Sequence, residues 1–505
     1  MGVGGRTGCY LGPAPRIDAL AVRSPLSRLA SLALTLACAI ALGAPAVVSA
    51  GVEPPGAPEP LRALEIARGA LSANPPGAQG GAGSRDATAA LRDLAVALPA
   101  LRGADRRRAH ELLDRPTDPG DRDYFGPEAA ESPICDARFC VHWTSRPSNA
   151  PSSPRFVDEV VAATDRSFAI ENGALGWRRP KSDGARGRVG GLGGQGQVDV
   201  YITDLGPRLY GFATPDPGQK GTRRFAYLVL DNDYVGFPSP PLASMKVTVA
   251  HEYNHVLHFN YDTLEDLWMF EATATWMEQQ VYPAINDYLN YLPTFAQHPE
   301  SPLTGREKVY ADGVWNHWLE ARLGARVVRD AWAESPSVRP VHDSVASYDS
   351  SIERSGGRSF SREFAKFAAV TAEWSSSGAF PDARAYPDMR RRGKLGERPL
   401  RMQLDNTAYR LLHVPSRSRE PLSITLVAQR GIRSSIALVG RDGKRGSGEV
   451  RIASRFLDRG GRATVRLAHL SRYERVTAVV TNADGRGRSG HRRADDSRYT
   501  LRLRK

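Results

Sequence analysis

The sequence predicts an α+β domain, a mixed β-sheet with a helical lower half, followed by an all-β sandwich. Three observations carry this reading. Apolar residues recur every 3.6 positions over residues 154–170, as one face of a packed helix requires. Strand-like apolar runs lie at 139–143, 198–203 and 226–230. After about residue 395 the apolar period becomes two, with turn signals such as Asp442-Gly443 between short runs.

The chain has 505 residues, more than one core organises, so two or three domains are expected. Hydrophobic residues make up 41% and aromatics 8%, enough for packed interiors rather than disorder. After the first fifty residues no run approaches the length of a membrane span, which excludes a multi-span membrane protein. Lys and Arg number 68 against 55 Asp and Glu. These cations are spread along the chain, so no nucleic-acid partner is expected.

Taken in order, residues 1–50 read as a signal peptide. Arg23 and Arg28 precede the apolar run 29–42, and Val48-Ser49-Ala50 forms a small-residue cleavage site. A single membrane anchor is the alternative, disfavoured because the run is short for spanning. The expectation is a secreted protein with no stable membrane insertion once the signal is removed. Residues 51–125 form a helical pro-segment or N-terminal arm, with helical spacing at 61–71 and 87–113 around a Pro/Gly/Ser stretch at 74–84. Arg106, Arg107 and Arg108 read as a solvated helix face.

Residues 126–390 form the next domain. Cys135 and Cys140, at the start of a strand, suit a small disulfide loop in an oxidising compartment and make a poor zinc site. The glycines of 190–196 precede a strand instead of a helix, so they read as a hairpin connection and not a phosphate cradle. Asp231-Asn232-Asp233 lacks EF-hand spacing and reads as turn chemistry.

The chemistry lies in the next segment. His251 and His255 stand one helical turn apart, so both imidazoles project from one face at metal-sharing distance. Glu252, about 100° around the helix, reaches water held at an open coordination position. Val247, Ala250 and Leu257 mark the helix as buried. His258, also on this face, reads as support or core. A catalytic zinc requires a third protein ligand. The helix over 266–278 carries Glu271 and Glu278 along the edge of an apolar face made by Leu267, Phe270, Ala274 and Met277. No third His follows at a metzincin offset, which leaves two His and a Glu.

The blocks His251-Glu252-x-x-His255 and Leu267-Trp268-x-x-Glu271-x-x-Ala274-x-x-x-Glu278 resemble the gluzincin metallopeptidases. The second block is close to the alanyl aminopeptidase and leukotriene-hydrolase pattern. Residues 126–385 as a whole look like exported bacterial metalloproteases of the immune-inhibitor-A-like kind. The resemblance implies a zincin-like catalytic domain, with Zn²⁺ held by His251, His255 and Glu271, Glu252 as general base, and Glu278 orienting a ligating His. A helix expected from 309 through 319 is similar to the Tyr-x-x-Gly helix of those relatives, which implies that Tyr310 stabilises the oxyanion. His317 is a weaker candidate for that role.

After 395, runs at 423–427, 435–439, 463–467, 476–481 and 499–503 predict a β-sandwich accessory domain over 395–505. The expected function is a secreted zinc metallopeptidase acting on a protein or peptide substrate. Internal cleavage is favoured because residues 227–234 have strand character but lack the amine-holding Gly-x-Met-Glu-Asn motif of the aminopeptidases. A substrate is therefore expected to pair along the edge of the 226–230 strand. The alternatives are an aminopeptidase using Asp231 or Asp233, a hydrolase of another bond, or a surface or matrix adhesion protein with a relic site.

Overall fold

Five strands form the sheet that carries the site: β1 (Ile134–Cys135), β2 (Phe139–His142), β3 (Val198–Thr203), β4 (Gly211–Pro215) and β5 (Ala226–Asp231). They pair in the order β1-β2-β3-β5-β4. The inner pairs β2–β3 and β3–β5 are parallel, and the outer β1 and β4 run antiparallel to their neighbours. This computed structural model describes residues 59–72, 86–338, 342–415, 422–485 and 496–504. The expected signal peptide lies outside the described residues.

Every residue of β3, β4 and β5 is buried, as parallel strands covered on both faces require. The arm covers one face. Its helices α1 (Pro60–Ala70), α2 (Thr88–Ala97) and α3 (Gly103–Leu113) bring Leu64, Leu91, Leu94 and Leu113 against Tyr201, Phe212, Tyr227 and Val229. Arg106, Arg107 and Arg108 are exposed, as read from the sequence. On the other face lie α4 (Pro154–Phe168) and α5 (Pro241–Phe259), packed with Val200, Ile202, Leu228 and Leu230. The Ser153 hydroxyl caps α4 by accepting from Phe156 N at 3.2 Å. The helix then widens into a π turn, Ala169–Ala174, which turns Glu171 inward onto Asn254. Cys135 and Cys140 lie at disulfide-bonding distance. Asp231 accepts from Leu205 N and Tyr234 N, so the acidic triplet does close a turn.

One expectation is corrected here. The 226–230 strand is not a free edge, because β4 pairs along it from Gly211↔Leu230 to Pro215↔Ala226. The outer position belongs to β4, a segment bracketed by Gly and Pro that gives little strand signal.

The lower half is helical: α6 (Leu267–Val281), α7 (Leu292–Gln297), α8 (Gly313–Leu323), then α9 (Arg326–Glu334), α10 (Ser344–Arg354), α11 (Phe360–Thr371) and α12 (Trp374–Ser377). The helix expected from residue 309 begins at Gly313 instead. Lys308 pairs with Asp312 at 2.8 Å across the preceding turn. A side chain at Gly313 would meet the Ala272 carbonyl at 3.2 Å, so the glycine lets α8 start against α6.

The C-terminal strands form two four-stranded antiparallel sheets, β10-β9-β12-β7 and β11-β8-β13-β6. The expected runs are β8 (Leu422–Ala428), β9 (Ser434–Arg441), β11 (Arg462–Leu467), β12 (Arg475–Asn482) and β13 (Ser497–Arg504). The strands β6 (Leu400–Leu404), β7 (Ala408–Val414) and β10 (Val450–Phe456) were not foreseen. Leu412, Ile436 and Val480 of one sheet share a core with Met402, Leu426 and Leu501 of the other. The first sheet's opposite face, with Tyr409, Ala437 and Val479, joins the core of the helical half. There Glu373 is buried among Arg391, Arg441 and Arg475.

Arg115 ties the arm to the sheet. Its side chain is 1% exposed, forks onto Asp216 at 2.7 and 2.8 Å, and pairs with Asp183 and Asp199. Removing a buried cation strands its carboxylates at a cost of about 3–5 kcal/mol, so Arg115→Ala should lower the urea midpoint accordingly. Burial pushes Asp183 up to about 6, with Asp199 and Asp216 outweighing part of the pull of Arg115. The unfolded carboxyl titrates near 3.9, so the folded chain binds this proton more tightly. Its contribution is complete below about pH 4 and is lost as pH rises through about 6. Asp183→Asn should flatten the thermal midpoint across that window, which melts at several pH values will show.

Candidate metal centre

The centre is built by two helices. α5 lies against β4 and β5 and is buried from Ser244 to Phe259 apart from Lys246. α6 follows after a short turn and packs on it, with Glu271 and Glu278 buried. His251 Nε2 lies 3.4 Å from Glu271 Oε2, and His255 Nε2 lies 3.6 Å from the same oxygen. None of these three atoms has a hydrogen-bond partner among the described residues. A fourth atom comes from the arm. Asp86 Oδ2 sits 3.6 Å from His255 Nε2 and 3.9 Å from His251 Nε2. Ligand atoms in a tetrahedron about 2.0–2.2 Å from an ion stand about 3.3–3.6 Å apart. Three of the four distances fall in that range and the Asp86–His251 distance lies 0.3 Å beyond it, so the residues present can hold a metal ion.

The surroundings support the donors. Glu278 Oε1 lies 2.7 Å from His251 Nδ1, which leaves Nε2 to present its lone pair inward. His258 Nδ1 lies 3.3 Å from His255 Nδ1. Its ring stacks on Trp332 at 4.0 Å, and burial holds it well below the usual His range. A neutral His258 therefore supports His255 from behind.

Electrostatics also favour a cation. Burial opposes charge on His255, yet Glu271 and Asp86 hold it up at about 9. His251 is raised against burial in the same way by Glu271 and Glu278. Burial would raise Glu271, but the two imidazoles keep it below the ordinary carboxylate range. The carboxylates thus favour positive charge at this point, which a divalent ion would supply. Glu252 points beside the donors. Burial, with Asp86 next, pushes it up to about 8, and its Oε2 accepts from the Thr88 hydroxyl at 3.0 Å.

The structure thus brings together His251, Glu252, His255 and Glu271. Tyr310 is close, its ring 6.1 Å from that of His251 and stacked on Tyr291 at 5.3 Å. It stands in the turn before α8 rather than on the helix. A pocket reaches Glu271 beside Tyr310, walled by Ala89, Tyr291, Thr294 and Lys308. His317 is not part of the group; it faces Tyr288 and Glu320. Glu265 engages Asp266 N and Ser347. Sequence reasoning missed Asp86, which precedes an Ala-rich helix and looks like an ordinary helix-start acid. It also missed Gly211. A side chain there would meet Val229 O at 2.8 Å and Glu252 Cγ at 3.3 Å, so glycine lets β4 approach the motif helix.

A model for a family of unknown function, DUF6055, matches residues 237–389, a span that holds both motif helices and Tyr310. No curated protein matches the chain.

Glu271→Ala should therefore lose most of the bound metal after dialysis, whereas Glu265→Ala should keep it. Glu278→Gln should weaken metal affinity about 10–100-fold by freeing the His251 ring. Elemental analysis after graded chelation distinguishes the three.

Proposed function

We propose that this chain is a zinc-dependent, zincin-like metallopeptidase that cleaves peptide bonds internally and acts outside the cell. The observation that supports it most is the convergence of His251 Nε2, His255 Nε2 and Glu271 Oε2 next to buried Glu252. Two imidazoles and a carboxylate are a donor set suited to zinc. A bound ion of this kind polarises a carbonyl oxygen and lowers the pKa of water.

The chain's own residues do the rest. Glu252 takes a proton from the attacking water at its carboxylate and delivers it to the leaving amine. Tyr310, whose ring lies 6.1 Å from that of His251, would donate to the oxyanion. Glu278 and His258 hold the two imidazoles in register. The outer side of β4, which the arm meets at Gly211, is the side on which an extended polypeptide would pair once that contact is released, replacing the role first assigned to residues 226–230. Internal cleavage follows if β4 holds the substrate in mid-chain.

One observation favours a second reading. Four converging protein atoms make a closed coordination set, and closed sets are typical of structural zinc. Glu252, buried beside the donors, has no task in such a site.

The purified chain should carry zinc and turn over an N-acetylated, internally quenched peptide, and 1,10-phenanthroline should stop it. Glu252→Gln should cut that turnover about 10²–10⁴-fold while metal content stays at the parent level. Turnover unaffected by either treatment rules the proposal out.

A further inference from the structure

We propose that residues 86–88 of the arm are a built-in ligand of the site, lying where substrate would bind and holding the enzyme latent. This rests on the metallopeptidase reading above. Three contacts, each with a different part of the machinery, carry it. Asp86 brings Oδ2 to 3.6 Å from His255 Nε2, at the fourth corner of the donor set. Its other oxygen accepts from Thr88 N, which fixes the carboxylate. Asp86 also forms a parallel bridge with Gly211 on the outer side of β4. Beyond it, Thr88 Oγ1 accepts from Ala213 N at 2.8 Å. The arm thereby takes the backbone positions that an extended substrate needs. The same Thr88 hydroxyl donates to Glu252 at 3.0 Å, engaging the base.

The arrangement resembles a bound peptide whose side chain, rather than a scissile carbonyl, faces the donors. A catalytic ion keeps one position open for water or substrate, and Asp86 fills it. The segment is held from its C-terminal side. Arg92 donates to the Glu265 carbonyl at 3.0 Å, and Arg115 is locked among three aspartates. Unmasking therefore requires displacement of 86–88 and not loss of the whole arm.

The test uses the full chain loaded with Co²⁺, with Asp86→Ala and Asp86→Asn. Both variants should keep their Co²⁺, shift its visible spectrum, and turn over the quenched peptide at least about tenfold faster, the equivalent of about 1.4 kcal/mol. Loss of Co²⁺ from both overturns the inference, because Asp86 would then be a resident ligand of a closed structural site. A spectrum and turnover equal to the parent's overturn it equally. Thr88→Val guards against misfolding of the Asp86 variants: phenanthroline should strip its Co²⁺ faster than the parent's, and an equal rate counts against the inference. A spectral shift with no peptide cleaved by any variant leaves the ligation by Asp86 standing and removes the peptidase reading instead.

Discussion

Burying several carboxylates and two imidazoles around one point is the constraint on which the rest of this structure depends. Asp86, Glu252, Glu271 and Glu278 are all 5% exposed or less. Isolated buried charges of this kind are prohibitively costly. They persist because Glu271 and Asp86 each turn an oxygen to the imidazoles, Glu278 pairs with His251, and Glu252 accepts from the Thr88 hydroxyl. That requirement explains why α5 is buried almost throughout, why α6 returns directly onto it, and why Gly211 and Gly313 permit β4 and α8 to come so close. It also explains the aromatic wall of Trp332 and Phe270 behind His258 and His255. The wall keeps water from the back of the centre and holds both rings in place.

Much of this was legible in the residues, for identifiable reasons. The 3.6-residue stripe of α4 and the apolar run of β3 were read to within a residue or two because burial on one or both faces imposes their pattern. The pair of helices could be read because the one-turn spacing of His251 and His255 has a direct geometric meaning. Glu278 does lie against His251 Nδ1, on the adjoining helix. Other features left no local trace. β4 is short and bracketed by Gly and Pro. β10 has only intermediate and exposed positions, so it shows no clean alternation. The start of α8 moved because a Lys–Asp pair shapes the preceding turn, an interaction that periodicity does not register.

Asp86 shows the limit most clearly. Its neighbours in sequence are Arg85 and Ala87, and the two imidazoles it faces, His251 and His255, belong to a helix far along the chain. Only the pairing of the arm with the edge of the sheet brings them together. The described residues of the arm pack closely on the sheet. They supply the second face of the sheet's core through Leu64, Leu91 and Leu113, and one turn of the same segment enters the centre. One stretch of chain thus contributes both to the sheet's core and to the donor cluster.

The Arg115 cluster has a consequence for how the chain acquires its structure. Its partners follow it by as many as 101 positions, and the arm's apolar side packs on residues of β3, β4 and β5 together with Leu209. As the polypeptide elongates, the arm emerges first and must wait for those strands. Closing so long a loop before any reward is collected makes folding slow, because non-local pairing must precede stabilisation. During that interval Tyr201, Phe212 and Tyr227 would be uncovered on the nascent sheet. The helices of the arm can therefore dock only after β3 to β5 have been made, so the order of synthesis and the order of packing differ for this part of the chain.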